Sequence, residues 1–580
     1  MNRLPRLPGA PAVPPRVTPV IPRIRGNDYS VLTPPEIGAW TPDMRVSVVV
    51  PACDGQEKLD LTLAGLADQS YPAELVEVVV VGDGSEPPVR LPEIRHVNTR
   101  LIVCETRGLA GARDAGLRAA RGDVVHWLDS DVVLDRVAIE AHMRWHHLAP
   151  YLAVTGDLRS TAASPAPPEV AMAGDRAKLF EPAEPDAWVV DLVERTDGLR
   201  SAAHDAFRLY TGESTSVDAM LLKAVGSADG GFVLGLDTAM GYRLSEAGAV
   251  FVPEPVATAY RLGSSTRRQE TSGGRDGQES VPDHVPHHRS LRTHPNRQWL
   301  VPYVEVETDV TGASYEDVRT VVDAVLAGTI PDVSVVLRGP WDELEDERGT
   351  PPGDLALVRR HYAAEPRVRL GGRPGLAPFV LRLPSGWVPG EDGLAQLTDL
   401  MTERGLGLVS VFLAEQPDGI VAARMERTAA FARAEMLAED GEDLDGVVTE
   451  IYGSMWVDPE SYGLLPAVDA TVPDDRRTTY RQQQERSVLQ GEVARLTKEL
   501  ARLTKEAEGL KGKVTEAREE AKRWRTQAVQ LRREVGALRK QVTALKQGHG
   551  LTRITRSGLR RIRSLLRDQS HGKQAGDGQE

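Results

Sequence analysis

Val124-Val-His-Trp-Leu128-Asp129-Ser130-Asp131 decides the fold. Five residues without a formal charge run straight into two carboxylates spaced two apart. A continuous run of this kind is what a strand buried on both faces of a parallel sheet requires. In extended backbone, residues two apart point the same way, so Asp129 and Asp131 share a side just past the strand end.

Working outward, Val46–Val50 is a second continuous apolar run and Val76–Val81 a third, which ends at Gly82-Asp83-Gly84-Ser85. Leu101–Cys104 is a short strand, and Lys58–Asp68 and Leu109–Ala120 have helical spacing. Strands alternating with helices predict an open α/β sheet, in which sites form beyond the carboxyl ends of the strands. The polar residues of this region stand at those ends.

The pieces come in a fixed order. They are Val46-Ser-Val-Val-Val-Pro51, Gln69-Ser-Tyr-Pro72, Glu77-Val-Val-Val-Val-Gly-Asp83-Gly-Ser85, Gly108-Leu-Ala-Gly-Ala-Arg113-Asp-Ala-Gly116 and Leu128-Asp-Ser-Asp131. Together they resemble family 2 glycosyltransferases, which have the GT-A nucleotide-diphospho-sugar transferase fold. The resemblance implies a catalytic domain over about 45–265 and an inverting transfer of a sugar from a nucleotide-diphosphate donor to a hydroxyl acceptor, a glycan, polysaccharide or cell-envelope component. It also implies roles by position. Pro51 and Ala52 border the nucleotide, Asp83 bonds the nucleobase and Arg113 approaches the donor. Asp129 contacts ribose or sugar and, with Asp131, holds a divalent metal, Mn or Mg. Such hard cations take one or two carboxylates together with phosphate oxygens and water. Gly82 stands where the family often has Asp, and Asp114 where Asn is usual.

On the acceptor side, Gly235-Leu-Asp237-Thr-Ala-Met-Gly-Tyr-Arg-Leu244 matches the family's Glu-Asp pair and following helix. Asp237 falls on the base that deprotonates the attacking hydroxyl. Leu236 replaces the usual Glu, and Ala239 a frequent Asp. Where some relatives carry a metal-binding His, this chain has Arg261, whose permanently charged guanidinium can contact the diphosphate. Asp237 can equally cap its helix.

The rest of the chain divides by composition. Residues 1–40 are Pro-rich and aperiodic and are expected to be a disordered arm. Residues 266–299 form a loop or linker whose His and Arg residues suit a solvated loop or a lid over the donor. Their spacing fits no standard zinc finger. A second α/β domain is expected over 300–475. There Val333-Ser-Val-Val-Leu-Arg338-Gly339-Pro340 and Phe379-Val-Leu-Arg-Leu383-Pro384-Ser385-Gly386 echo the second and fourth strands at one offset of 255 residues, Gly84 to Gly339 and Leu128 to Leu383. On that alignment Asp83, Asp129 and Asp131 become Arg338, Pro384 and Gly386, as in a degenerate GT-A-like copy that has lost its chemistry.

A long helix is expected over 478–547. From Leu489 to Leu545 apolar residues alternate by four and three, one seam beginning Leu489, Leu496, Leu503 and the other Val493, Leu500, Ala507. This heptad predicts a left-handed coiled coil, and Leu facing Val favours a parallel homodimer. Residues 551–567 read as a basic amphipathic helix suited to peripheral contact with an anionic membrane, and 568–580 as a disordered tail.

The 580 residues are 41% hydrophobic, with formal net charge −14 and two cysteines, Cys53 and Cys104. That charge gives no reason to expect nucleic-acid binding. Two thiols make no disulfide framework, and no secretory signal or membrane-spanning run is evident. The expectation is a cytoplasmic protein, placed peripherally at the inner face of the membrane if the basic helix docks there. The competing reading is a non-catalytic GT-A-like scaffold that dimerises through the coiled coil.

Overall fold

The computed structural model describes residues 21–547, apart from 53–54, 85, 107, 163–166, 227–235, 264–280, 288, 290–291, 293–296, 345–352, 373–374, 418 and 470–475. Residues 1–472 form one compact unit and 473–580 a second.

The first sheet is built from β1 (Val46–Ala52), β2 (Val76–Gly82), β3 (Thr99–Val103), β4 (Val124–Leu128), β5 (Val132–Leu134), β6 (Leu152–Thr161), β7 (Ala183–Pro185), β8 (Ser214–Asp218) and β9 (Val250–Leu262). Its order is β3-β2-β1-β4-β8-β6-β9-β5, with β7 beside β6. All seven residues of β1 and all five of β4 are buried, as their apolar runs predict. Successive side chains feed opposite cores. Val48 and Val50 pack with Leu59 and Leu63 of the Gln56–Ala67 helix, whereas Val49 packs with Ala112 and Leu117 of the Leu109–Ala119 helix. Gly116 permits that second approach, because a Cβ there would lie 2.3 Å from Val49 Cγ1.

The second sheet joins β10 (Val304–Asp309), β11 (Val333–Arg338), β12 (Val368–Leu370), β13 (Phe379–Arg382), β15 (Leu408–Gln416), β16 (Gly419–Arg427) and β17 (Ser454–Val457). Separately, β14 (Trp387–Pro389) pairs with β18 (Leu464–Pro466). Its order, β12-β11-β10-β13-β16-β15-β17, corresponds strand for strand to β3-β2-β1-β4-β8-β6-β9. The senses agree as well: three parallel pairings, two antiparallel, then one parallel. Strand β9 pairs with β6 along its length, through an irregularity after Gly156, and over its last part also with β5. In the second lobe those two duties are split between β17 and β18.

The register corrects the single offset. Val76 and Val124 share the partner Val46, a spacing of 124 − 76 = 48, whereas Val333 and Phe379 share Val304, a spacing of 379 − 333 = 46. With Val46 and Val304 as common reference, Asp83 falls on Pro340, not Arg338. Asp129 and Asp131 still fall on Pro384 and Gly386. A slip of two keeps every side chain on its face, so the apolar pattern alone does not reveal it.

Two expectations fail within the compact unit. Residues 21–40 are folded against it: Ile24 is fully buried, and Asn27 donates to the Leu199 and Phe251 carbonyls at 3.0 and 2.9 Å. Composition suggested disorder because the partners are distant in sequence. The described part of 281–299 is packed between the lobes rather than poised as a lid. His287 lies among Phe207, Tyr242 and Tyr303, and Arg289 and Arg292 both bind Asp332. Where the lobes meet, Arg433 donates from its guanidinium to the carbonyls of Gly248, Ala249, Ile24 and Gly26. It thereby ties the arm and both lobes together.

The second unit contains a helix over Arg476–Gln547, about 108 Å long at 1.5 Å per residue. Among the described side chains its heptad leucines and valines are solvent-exposed within one chain, Leu500 at 68% for example. The stretches 1–20 and 551–580 lie outside the described residues.

Candidate active site

The carboxyl ends of three adjacent strands carry the predicted residues. Pro51 and Ala52 close β1 and pair with Val81 and Gly82 of β2. Asp83 follows β2, half-buried, with Gly84 beside it at φ +79°, a left-handed conformation that favours glycine. Asp129 and Asp131 follow β4. Their turn is pinned by Val132 N–H donating to Asp129 O at 3.1 Å, Leu262 N–H to Asp131 O at 2.9 Å and Thr62 Oγ1 to Ser130 O at 3.0 Å.

The two carboxylates differ in setting. Asp129 is buried and faces Arg113 Nη2 at 3.7 Å. The Asp131 side chain is 37% exposed, with Lys58 Nζ 3.5 Å from its Oδ2. Arg113 reaches back from the Leu109–Ala119 helix and its Nη1 donates to Asp237. Burial opposes its charge, but Asp237 and then Asp129 outweigh that, and its pKa is raised. The guanidinium occupies space that Gly212 leaves open, since a Cβ there would lie 1.8 Å from Nη2. Asp237 is the second residue of the Leu236–Glu246 helix, so it stands within the first turn rather than at its cap. The structure therefore gathers Asp129, Arg113 and Asp237 into one chain of charge and leaves Asp131 at the mouth.

Arg261 is placed differently from expectation. It lies on β9 opposite Val132, one residue beyond Asp131, yet its side chain is only 6% exposed. The guanidinium is bound to Glu213, donates to Ser160 Oγ at 3.0 Å and has Asp186 at 3.9 Å. Direct contact with a diphosphate requires this pair to open. A one-dimensional reading missed Glu213 because it stands just before β8 and meets β9 only through the fold.

Burial, the neighbouring Asp129 and Asp237 push the Glu213 carboxyl up to about 7, although Arg261 pulls the other way. A folded-state value above the ordinary one means the folded chain holds a proton that the unfolded chain releases between about pH 4.5 and 7. The associated stability is present at low pH and is lost as pH rises through 7. Relative to Glu213→Gln, the native chain is therefore expected to lose about 2 kcal/mol between pH 5 and pH 8. Urea unfolding of both proteins at the two pH values measures the difference. A difference that grows in the native chain's favour contradicts the assignment.

Beneath the sheet, His142 and His146 both contact Ser216 Oγ at 2.8 Å, and the His126 ring lies 4.4 Å from His142. Burial drives all three imidazoles far down, His126 and His146 to about 3. They are neutral core groups. Cys104 is buried and its thiol donates to Thr106 O at 3.1 Å. Among the described residues no group of three or more His, Cys, Asp or Glu is arranged to hold a metal, and no helix is long and apolar enough to cross a membrane.

Residues 47–207 match the family model described as Glycosyl transferase family 2. The matched segment ends before β8, and so before Glu213, Asp237 and Arg261. Chondroitin synthase of Escherichia coli is 25% identical over 351 residues, covering 56% of this chain and 49% of that protein. Hyaluronan synthase of Pasteurella multocida is 25% identical over 362 residues, covering 57% and 35%. The uncharacterized glycosyltransferase YfnE of Bacillus subtilis (strain 168) is 33% identical over 117 residues, covering 20% and 30%. The chain thus spans half or less of the length of these curated relatives. Among solved structures, a mannosyltransferase from Pyrobaculum calidifontis, in complex with GDP-Man and Mn2+, aligns at 18% identity over 44% of this chain and 66% of that one, with a TM-score of 0.29.

Proposed function

We propose, from the premise that residues 47–207 are a family 2 glycosyltransferase domain, that the chain transfers a sugar with inversion from a nucleotide-diphosphate donor to a glycan hydroxyl. The observation that carries this reading is the placement of Asp83, Asp129 and Asp131 at the carboxyl ends of β2 and β4, with Arg113 and Asp237 drawn to the same point.

The donor set fits a hard divalent cation. Asp131 offers a half-exposed carboxylate at the mouth, Asp129 stands two residues away, and this class of ion completes its shell with phosphate oxygens and water. Bound there, Mn or Mg would neutralise charge on the departing diphosphate. The chain's own groups do the rest. Pro51, Ala52 and Asp83 bind the nucleoside. Arg113 fixes Asp129 and Asp237 relative to each other, and Asp237 takes the acceptor proton. Lys58 is placed to meet a phosphate oxygen once Asp131 turns to the cation. A glycan acceptor agrees with the names of the chondroitin and hyaluronan synthases. Thermal shift against a nucleotide-sugar panel with Mn tests donor binding, since a ligand of the native state raises the melting temperature. No shift and no transfer with any donor would leave the scaffold reading.

The second lobe is read as a copy without chemistry. Near the ends of β10, β11 and β13 its side chains satisfy one another. Glu307 binds Arg338 and Arg382, and Glu426 binds Arg382 and Arg424. No carboxylate stands at the counterparts of Asp83, Asp129 or Asp131.

The heptad helix is read as a parallel homodimer, because a seam this exposed needs a partner to bury it. Leu496→Lys with Leu503→Lys is expected to turn a dimer into a monomer in sedimentation equilibrium of the full chain. A native chain that sediments as a monomer refutes it. Residues 551–567 would bring such a dimer to the inner face of an anionic membrane, which co-sedimentation with acidic vesicles tests.

A further inference from the structure

Where the two lobes meet there is a second cleft, of about 240 Å³, whose walls include Arg25, Arg200, Arg404, Arg427, Glu246 and His287. Arg200 is paired with Asp197 at 2.8 Å, which leaves three guanidiniums facing one carboxyl in a chain of net charge −14. The four arginines come from three parts of the fold: the N-terminal segment, the first lobe and the second. Arg427 is fixed in place by donating from Nε to Leu406 O at 2.9 Å and from Nη2 to Met401 O at 2.8 Å.

The carboxyl strengthens the case. Glu246 is 4% exposed, and its Oε2 has no hydrogen-bond partner among the described residues. A buried polar atom left in that state is costly and calls for an explanation. Burial pushes this carboxyl up to about 8, so at neutral pH it is largely protonated and can donate. His287 lies 5.1 Å from the His204 ring in a stacked pair, and burial lowers both, leaving a flat, neutral wall. Glu246 ends the helix whose second residue is Asp237. Nine residues separate them, about 14 Å at 1.5 Å per residue, so this cleft is distinct from the site at Asp131.

From this arrangement we infer that the inter-lobe cleft binds a small polar molecule bearing an oxyanion, a phosphate or carboxylate seated among Arg25, Arg404 and Arg427, with Glu246 donating to a ligand oxygen. Guanidinium forks suit both oxyanions. A phosphate ester and an acidic sugar offer the same chemistry, and the probes below separate them. The inference does not rest on the transferase reading.

Isothermal titration of the full chain with inorganic phosphate, glucose 1-phosphate, glucuronate and neutral glucose tests it. At least one oxyanion probe is expected to bind while glucose does not. Its affinity should fall at least tenfold in Arg404→Glu, an exposed position whose replacement leaves the core intact, and stay unchanged in Asp131→Asn. Binding by the phosphates alone assigns a phosphate ester, and binding by glucuronate a carboxylate. The inference is overturned if no probe binds the native chain, if Arg404→Glu binds equally well, or if Asp131→Asn abolishes binding.

Discussion

Asp131→Ala is expected to reduce sugar transfer by two to three orders of magnitude while leaving the melting temperature within about a degree. The two halves have separate causes. Activity falls because a single cation contact at a leaving group is worth several kcal/mol, and each 1.36 kcal/mol is tenfold in rate. Stability is spared because the Asp131 side chain is 37% exposed and its ion pair with Lys58, at 3.5 Å, is of the surface kind worth 0 to about 1 kcal/mol. The turn that carries it is held by backbone bonds through Val132 and Leu262 N–H groups, which the substitution does not touch. Single-turnover transfer with a fixed donor, alongside a melting curve, measures both. Unaltered transfer removes the proposed chemistry, whatever the donor.

Arg113→Ala is expected to do the opposite to stability. The guanidinium is buried between Asp129 and Asp237. Deleting it leaves Asp129, itself buried, beside a second carboxylate without the cation that separates them. Breaking a buried pair in this way costs about 3–5 kcal/mol, far more than the pair's net contribution suggests. The loss should appear in urea unfolding and be accompanied by loss of transfer, because Asp237 is no longer held. Gly212→Ala is a second route to the same result. Its new methyl would occupy the guanidinium's position, so it too should weaken both properties, without removing any charge. A native-like unfolding curve for Arg113→Ala would mean that the carboxylates are solvated or protonated instead.

These two expectations draw on features of unequal visibility. Asp129 and Asp131 are legible as residues because a buried apolar run marks where its strand ends, but their directions are not, since the chain turns at Ser130 and sends Asp129 toward Arg113 and Asp131 toward the mouth. Asp83, Pro51 and Ala52 were readable for the same reason on neighbouring strands. Arg261 was readable as a residue but not as a contact. Its partner Glu213 lies 48 residues away, and nothing in either local sequence announces the pairing. The folded segment 21–40 was misread because proline content reports local stiffness, whereas Ile24 and Asn27 are ordered by groups more than a hundred residues distant. The echo of two strands in the second lobe is legible from its apolar runs, whereas the full strand order and the two-residue slip are not, since a period-two pattern is blind to shifts of two.

Arg433 carries a consequence for how this chain can change. Its guanidinium serves four carbonyls on the arm and the first lobe, and the residues about it bury Val250 and Val252 of β9 against Ala430, Ala434 and Val448. The first lobe is therefore not a detachable cassette. Severed near residue 300, it would present an open hydrophobic flank and lose the anchor of its own amino-terminal segment. The second lobe shares an interior with the first, and that shared interior is a reason for its helices to be retained whatever chemistry either lobe performs.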